Sequence, residues 1–276
     1  MTRDRSGFTL IELLVVIAII ALLLAILMPG LSRVRAQSKN VVCKANLRHW
    51  ALIFQIYVQD NDNKFHTSGM PTGGFSYDRT WIKILKPYYQ DPDIRFCPTA
   101  TKLWMEGAQN PFSAWSAVGV TSLEEWDSGS YGINTWITNP PSTVERYVNK
   151  FESKDHWRTA DVPGGYTIPM VLDCWWCRGY PCHMDKAPAY DGDIIGSYSN
   201  VNDMQRYCLN RHNGTTNGAF LDASVRAIGL KELWRLRWHR RFDTNFKTMD
   251  ELNAEGPWLQ KYKDYPAFVD GQRTRR

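Results

Sequence analysis

The chain has 276 residues, enough for one membrane segment and one globular domain of ordinary size. Its net charge of +5 is a diffuse balance of 33 basic and 28 acidic residues, which names no partner. Twelve Trp and thirteen Tyr lend it the aromatic character of exported or surface-binding domains, and six Cys suit an oxidising compartment.

The first element is the stretch SGFTLIELLVVIAIIALLLAILMPG, from Ser6 to Gly30. Residues Phe8 to Met28 carry one charge, Glu12, and at helical rise span on the order of 30 Å, a bilayer core. A cleavable secretory signal has a shorter apolar core followed by a small-x-small site, which PGLSRVRAQ does not supply. A plain anchor leaves Glu12 unexplained, because a lone carboxylate in the bilayer costs roughly 2.5–3.5 kcal/mol.

The residues RSGFTLIELLVVIAIIALLLAILMP closely resemble the N-terminus of type IV prepilins and type II secretion pseudopilins. The resemblance implies that residues 1–7 are a leader ending at Gly7. A prepilin peptidase would cut after Gly7 and methylate the new N-terminal Phe8. Glu12 would become the fifth mature residue and set register in assembly, and Pro29 would kink the helix. The implied protein is not an enzyme. It is a filament subunit in the inner membrane, its N-terminus cytoplasmic before processing and its globular domain periplasmic. Its implied partners are the peptidase, other pilin or pseudopilin subunits and an inner-membrane assembly platform. One rule opposes this orientation. Arg33, Arg35, Lys39, Lys44 and Arg48 outnumber Arg3 and Arg5, so a positive-inside count places the back of the segment in the cytoplasm.

The helix is expected to continue to Gln59, about 78 Å in all, with residues 8–28 spanning the membrane. Val34, Ser38, Val41, Ala45, Leu52 and Ile56 form an i, i+3/i+4 stripe expected to pack on the domain. Asp60, Asn61 and Asp62 read as the terminating turn rather than the start of a calcium loop, since no bidentate Glu follows at the required distance.

Residues 60–245 read as a globular domain of short apolar runs split by Gly, Pro, Asn and Asp. TWIKILKPYY suggests a short helix ended by Pro87. Strands are expected at Pro169–Trp175, Ala219–Leu221 and Ser224–Ile228, the last two flanking a turn at Asp222-Ala223. The basic stretch WRLRWHRR, Trp234 to Arg241, reads as a solvated face, with no nucleic-acid role. Residues 246–276 are expected to be irregular. The fold class is thus α+β: a long helix, half transmembrane, packed on a mainly antiparallel β domain in the lollipop form of pilin-like proteins.

His212-x9-Asp222, with SYGINTW, FCP and GLKELWRLRWHRRFDT, resembles a group of pilin-like proteins from planctomycete-type bacteria. That group has Asp-Gly where this chain has Asp222-Ala223, which puts a two-residue type I′ turn in doubt. His212 and Asp222 are expected to make a structural hydrogen bond across the hairpin. No motif sets a nucleophile beside them, and there is no G-x-S-x-G, H-E-x-x-H or P-loop, so no catalytic residue and no cofactor is expected.

Cys43, Cys97, Cys174, Cys177, Cys182 and Cys208 are read first as structural disulfides, with six Cys allowing fifteen pairings. A Cys43–Cys97 bridge would close a loop of about 54 residues, worth roughly 4 kcal/mol. DCWWCRGYPCH, from Asp173 to His183, also has the form of a zinc or redox site, but no matching second C-x2-C knuckle follows and no metal is assigned. Two further functions stay open. One is a membrane-anchored binding protein that grips glycan or protein through Trp175, Trp176, Trp234 and Trp238. The other is a tethered zinc or thiol enzyme.

Overall fold

The computed structural model describes residues 10–67, 80–103, 106–108, 110–116, 128–140, 146–147, 151–193 and 202–266. The chain divides into two compact units, Met1–Val41 and Val42–Arg276. Helix α1, Leu10–Asp60, runs through the boundary, and Pro29 lies inside it. The helix stops where expected: Asp62 and Asn63 adopt positive φ of 53° and 58°, and the Asn63 N–H returns to the Val58 carbonyl at 2.8 Å.

The second unit contains α2 (Trp81–Ile84) and α3 (Met249–Glu255). Among the described residues its strands are β1 (Lys102–Leu103), β2 (Ser113–Ser116), β3 (Ser128–Gly129), β4 (Tyr131–Asn134), β5 (Arg146–Tyr147), β6 (Phe151–Glu152), β7 (Pro169–Asp173), β8 (Arg178–Gly179), β9 (Thr215–Phe220) and β10 (Val225–Gly229). The main sheet has the order β10-β9-β7-β4-β8 and is antiparallel except for the β4–β8 pair. The α+β class expected from the sequence is the one observed.

The face of α1 that packs is not the expected one. Cys43, Leu47, Trp50, Ala51, Phe54 and Val58 are buried, whereas Val41, Ala45, Leu52 and Ile56 are exposed. Both stripes are apolar at helical spacing. The inward one carries the two large rings, which bury more area than aliphatic residues can. Trp50 packs edge-on against Trp81 and Tyr89, with centroids 4.6 and 4.8 Å away, and its indole N–H donates to the Ile94 carbonyl at 2.9 Å.

The turn between β9 and β10 is a three-residue loop, Leu221 to Ala223. The Ala223 N–H donates to the Phe220 carbonyl, the Phe220 N–H to the Ser224 carbonyl, and Ala223 sits at φ 64°. This is the type I turn closed by a left-handed residue that three-residue hairpins use, in place of a type I′ turn.

Two further expectations are corrected. The basic stretch is solvated only at its end, where Arg240 and Arg241 are exposed. Trp234, Arg235, Leu236, Trp238 and His239 are buried. Arg235 donates to the carbonyls of Tyr265, Thr244 and Lys247 at 2.9, 2.7 and 2.9 Å, so its guanidinium ties loops together and satisfies its own desolvation. Nor are residues 246–276 irregular where they are described. Thr248 caps α3 by accepting from the Glu251 N–H at 3.1 Å, and Glu251 returns a carboxylate to the Thr248 N–H at 2.7 Å. That capping box, Thr-x-x-Glu before Leu252, is the signal the composition of the tail obscured.

Candidate functional site

Among the described residues, two places hold the groups that bear most directly on function. The first is the N-terminal part of α1. From Leu10 to Met28 its large apolar side chains are exposed, and Glu12 is the acidic residue of its first turn. This segment is long and apolar enough to cross a membrane. The Ser32 hydroxyl donates to the Pro29 carbonyl at 2.9 Å. Gly7 and Phe8 lie outside the described residues.

The second place is buried in the domain. Cys43 comes from α1, Cys97 from the loop after residues 92–95, Asp173 from the end of β7, and His212 from the loop before β9. One potential ligand atom from each lies within 4.8 Å of the others, and all four residues are buried. His212 Nε2 is 3.1 Å from Asp173 Oδ2 and 3.3 Å from Cys97 Sγ. Cys43 Sγ is 3.6 Å from the same Asp173 oxygen.

Around this core the backbone and neighbouring side chains hold the donors in place. The Asn217 N–H donates to Asp173 Oδ2 at 3.0 Å, and Arg211 Nη1 lies 3.4 Å from Oδ1. The Arg211 guanidinium also donates to the carbonyls of Pro111, Ser130, Ser113 and Cys174. The Tyr131 hydroxyl donates to Cys43 Sγ at 3.4 Å, and Thr99 Oγ1 is 3.0 Å from Cys97 Sγ.

The electrostatics follow the geometry. Burial opposes the ionised form of Asp173, but the His212 hydrogen bond and the Arg211 charge outweigh it and hold the carboxyl below its usual range. Burial would depress His212, but its contacts to Asp173 and Cys97 push it up to about 9. Burial raises Cys97, while Cys43 and His212 bring it down to about 7. Cys43 is pushed well up, first by burial.

A family model described as a prokaryotic N-terminal methylation motif matches residues 2–28. The type IV major pilin protein PilA of Myxococcus xanthus is 50% identical over 204 residues, covering 71% of this chain and 81% of that one. The chain belongs to the type IV pilin and pseudopilin family. Two other relatives match over shorter stretches. The type IV wide pilus major component PilA4 of Thermus thermophilus is 44% identical over 61 residues, 22% of this chain and 47% of its own. The type II secretion system core protein G of Pseudomonas aeruginosa is 37% identical over 59 residues, 21% of this chain and 42% of its own. The chain thus spans less than half the length of these two relatives. No solved structure is significantly similar to it.

In this pilin-family chain the remaining sequence expectations for the domain are resolved differently from one another. His212 does not bond Asp222 but turns to Asp173 and Cys97. Asp222 closes its own turn, accepting from the Ser224 N–H at 3.0 Å and the Ser224 hydroxyl at 2.6 Å. The geometric reason is that Asp173 lies beside His212 in the sheet interior, whereas Asp222 is at the hairpin tip.

All six cysteines are free thiols, so the expected disulfides are not formed. Cys43 and Cys97 are nevertheless neighbours, as their proposed bridge requires. Cys182, His183 and His239 form a second group with ligand atoms within 4.8 Å, which separates Cys182 and His183 from Cys174 and Cys177. Burial pushes the Cys174 thiol up to about 12, which makes it unreactive. Trp234 and Trp238 are core residues, their indoles donating to the Asp185 and Leu233 carbonyls, and Trp175 and Trp176 are half-buried and stacked at 5.8 Å. Four tryptophans therefore do not form one exposed binding face.

The residues that sequence reasoning missed are Asp173 and Arg211. Each had a signal. Asp173 is a lone charge closing an apolar strand, and such a residue demands a partner.

Proposed function

We propose that this chain is a structural subunit of a type II secretion pseudopilus or a type IV pilus-like filament, acting by processing and polymerisation and not by catalysis. The observation that carries the reading is an exposed, membrane-length apolar helix, matched by the methylation motif, whose first turn holds Glu12. A prepilin peptidase cuts between Gly7 and Phe8 from the cytoplasmic side and methylates the new amine. The subunit then waits in the inner membrane with its domain in the periplasm until an assembly platform draws it into a filament of like subunits.

Physical chemistry supplies the role of each group. Lipid and neighbouring helices are similarly apolar, so burial of the Leu10–Met28 surface alone gives little preference for the filament. Cleavage places an α-amine four residues before Glu12, one turn away on the same face. That cation, from the same subunit or the next one, offsets the desolvation of Glu12 and fixes register. Pro29 lacks an N–H to donate and bends the helix at the end of its apolar part. The outward stripe of Leu52 and Ile56 offers a second apolar strip for subunit packing.

The test is intact mass of the protein from its native membrane. The expected species lacks residues 1–7 and carries one methyl group on Phe8. A mature chain still beginning at Met1 in cells with an active prepilin peptidase would overturn the reading.

A further inference from the structure

We propose that Cys43, Cys97, Asp173 and His212 hold one structural zinc ion at the centre of the pilin domain. The donor set is the first argument. Two thiolates, an imidazole and a carboxylate are the ligand types zinc takes, and the two sulfurs exclude calcium and magnesium, which prefer oxygen. Four ligands complete a tetrahedron, and all four residues are buried, so the site is closed and structural, with no position left open for substrate.

The second argument is convergence. A Cys–His–Asp catalytic relay uses both ring nitrogens of the histidine, one toward the sulfur and the other toward the carboxylate. Here the same nitrogen, His212 Nε2, faces Asp173 Oδ2 at 3.1 Å and Cys97 Sγ at 3.3 Å, and Asp173 Oδ2 in turn faces Cys43 Sγ at 3.6 Å. Donor atoms around a tetrahedral zinc, with bonds of about 2.0–2.3 Å, stand roughly 3.3–3.8 Å apart. These separations lie in or close to that range, and one ligand atom from each of the four residues lies within 4.8 Å of the others.

The third argument is charge. Two thiolates and one carboxylate carry three negative charges in a buried place. A divalent cation and the Arg211 guanidinium beside Asp173 cancel them, leaving the cluster neutral. The surrounding contacts are those of a metal's outer layer. Arg211 occupies the Asp173 oxygen that faces away from His212, the Asn217 N–H fixes the other, and the Tyr131 hydroxyl donates to Cys43 Sγ. On binding, the thiol protons and any proton on His212 Nε2 leave to solvent.

The ligands come from residues 43, 97, 173 and 212, so the ion joins α1 to the sheet. It does for this chain what a Cys43–Cys97 disulfide would do, and it engages β7 and the β9 loop as well.

The test uses the full-length chain, purified in mild detergent without chelator, with metal content read by mass spectrometry and the site probed by cobalt(II) reconstitution. The expected result is one zinc per chain, and a cobalt spectrum with tetrahedral d–d bands and charge transfer from two thiolates. Cys97→Ser and His212→Gln lose the metal, and Cys182→Ser keeps it. Tyr131→Phe retains the stoichiometry but binds zinc about tenfold or more weakly. Should the ligand variants fail to fold, the wild-type cobalt spectrum decides, because the Cys182–His183–His239 group can offer only one sulfur. Absence of zinc after incubation with the ion, a one-thiolate cobalt spectrum, or a Cys43–Cys97 disulfide in the intact mass overturns the proposal.

Discussion

His66 shows how a single buried side chain links packing to pH. It lies against Phe54 and Tyr57 in the core, and burial holds it down to about 4 from an ordinary 6.5. Between those two values the unfolded chain binds a proton that the folded one refuses. Stability is therefore intact above about 6.5 and is lost as pH falls toward 4. His66→Gln removes this dependence. From about pH 7 to about pH 5 the wild type should lose about 2 kcal/mol more than the variant, read by denaturant unfolding at each pH. His156 and His239, both pushed to about 3, act in the same direction, and Asp185, raised to about 7 by burial, acts in the opposite one. All three are common to both proteins, so the difference isolates His66. Equal losses would show that the imidazole is not held neutral. The residue scale is also where the sequence was hardest to read. Cys43, Cys97 and His212 stood out as reactive types, but their common partner Asp173 looked like one acidic residue among 28. Only folding puts it between them.

At the scale of elements, legibility followed how local the cause was. The end of α1 at Asp60, the short α2 and the β9–β10 hairpin depend on turn formers and propensity close in sequence, and all three were readable. Which face of α1 packs depends on what meets it. Two apolar stripes competed, and the partners of Trp50 lie at Trp81 and Tyr89, more than thirty residues onward. Helix α3 was local and was still missed, because a polar, basic-ended tail masked its capping box. Thr248→Ala should therefore destabilise the domain by about 1 kcal/mol, measured by thermal or denaturant unfolding, while Thr248→Ser should be nearly neutral. An Ala variant as stable as the wild type would show that α3 is held by Leu252 and Leu259 alone.

At the scale of the whole molecule, family membership was legible from about 25 residues because the membrane imposes so narrow a chemistry on them. An apolar helix tolerates a carboxylate only for a reason, and Glu12 is the one acidic residue in the apolar run from Phe8 to Met28. Glu12→Ala should insert and be processed normally but enter filaments poorly, read by sedimentation of sheared filaments against membrane-retained subunit. Normal incorporation would remove Glu12 from assembly. The domain was less legible as a whole, since its sheet joins strands far apart in the chain and its centre draws on four separate segments.

The burial of Cys43, Leu47, Trp50, Phe54 and Val58 has a practical corollary for anyone wishing to handle the domain in water. The boundary between the two compact units falls inside α1, because Cys43 to Val58 of that helix contribute to the core of the second unit. A water-soluble fragment has to be cut mid-helix, no later than about Val42, where the second compact unit begins. A fragment starting after Asp60 forfeits two large rings, each costing about 3–5 kcal/mol when removed from a core, and should emerge from expression as an aggregate.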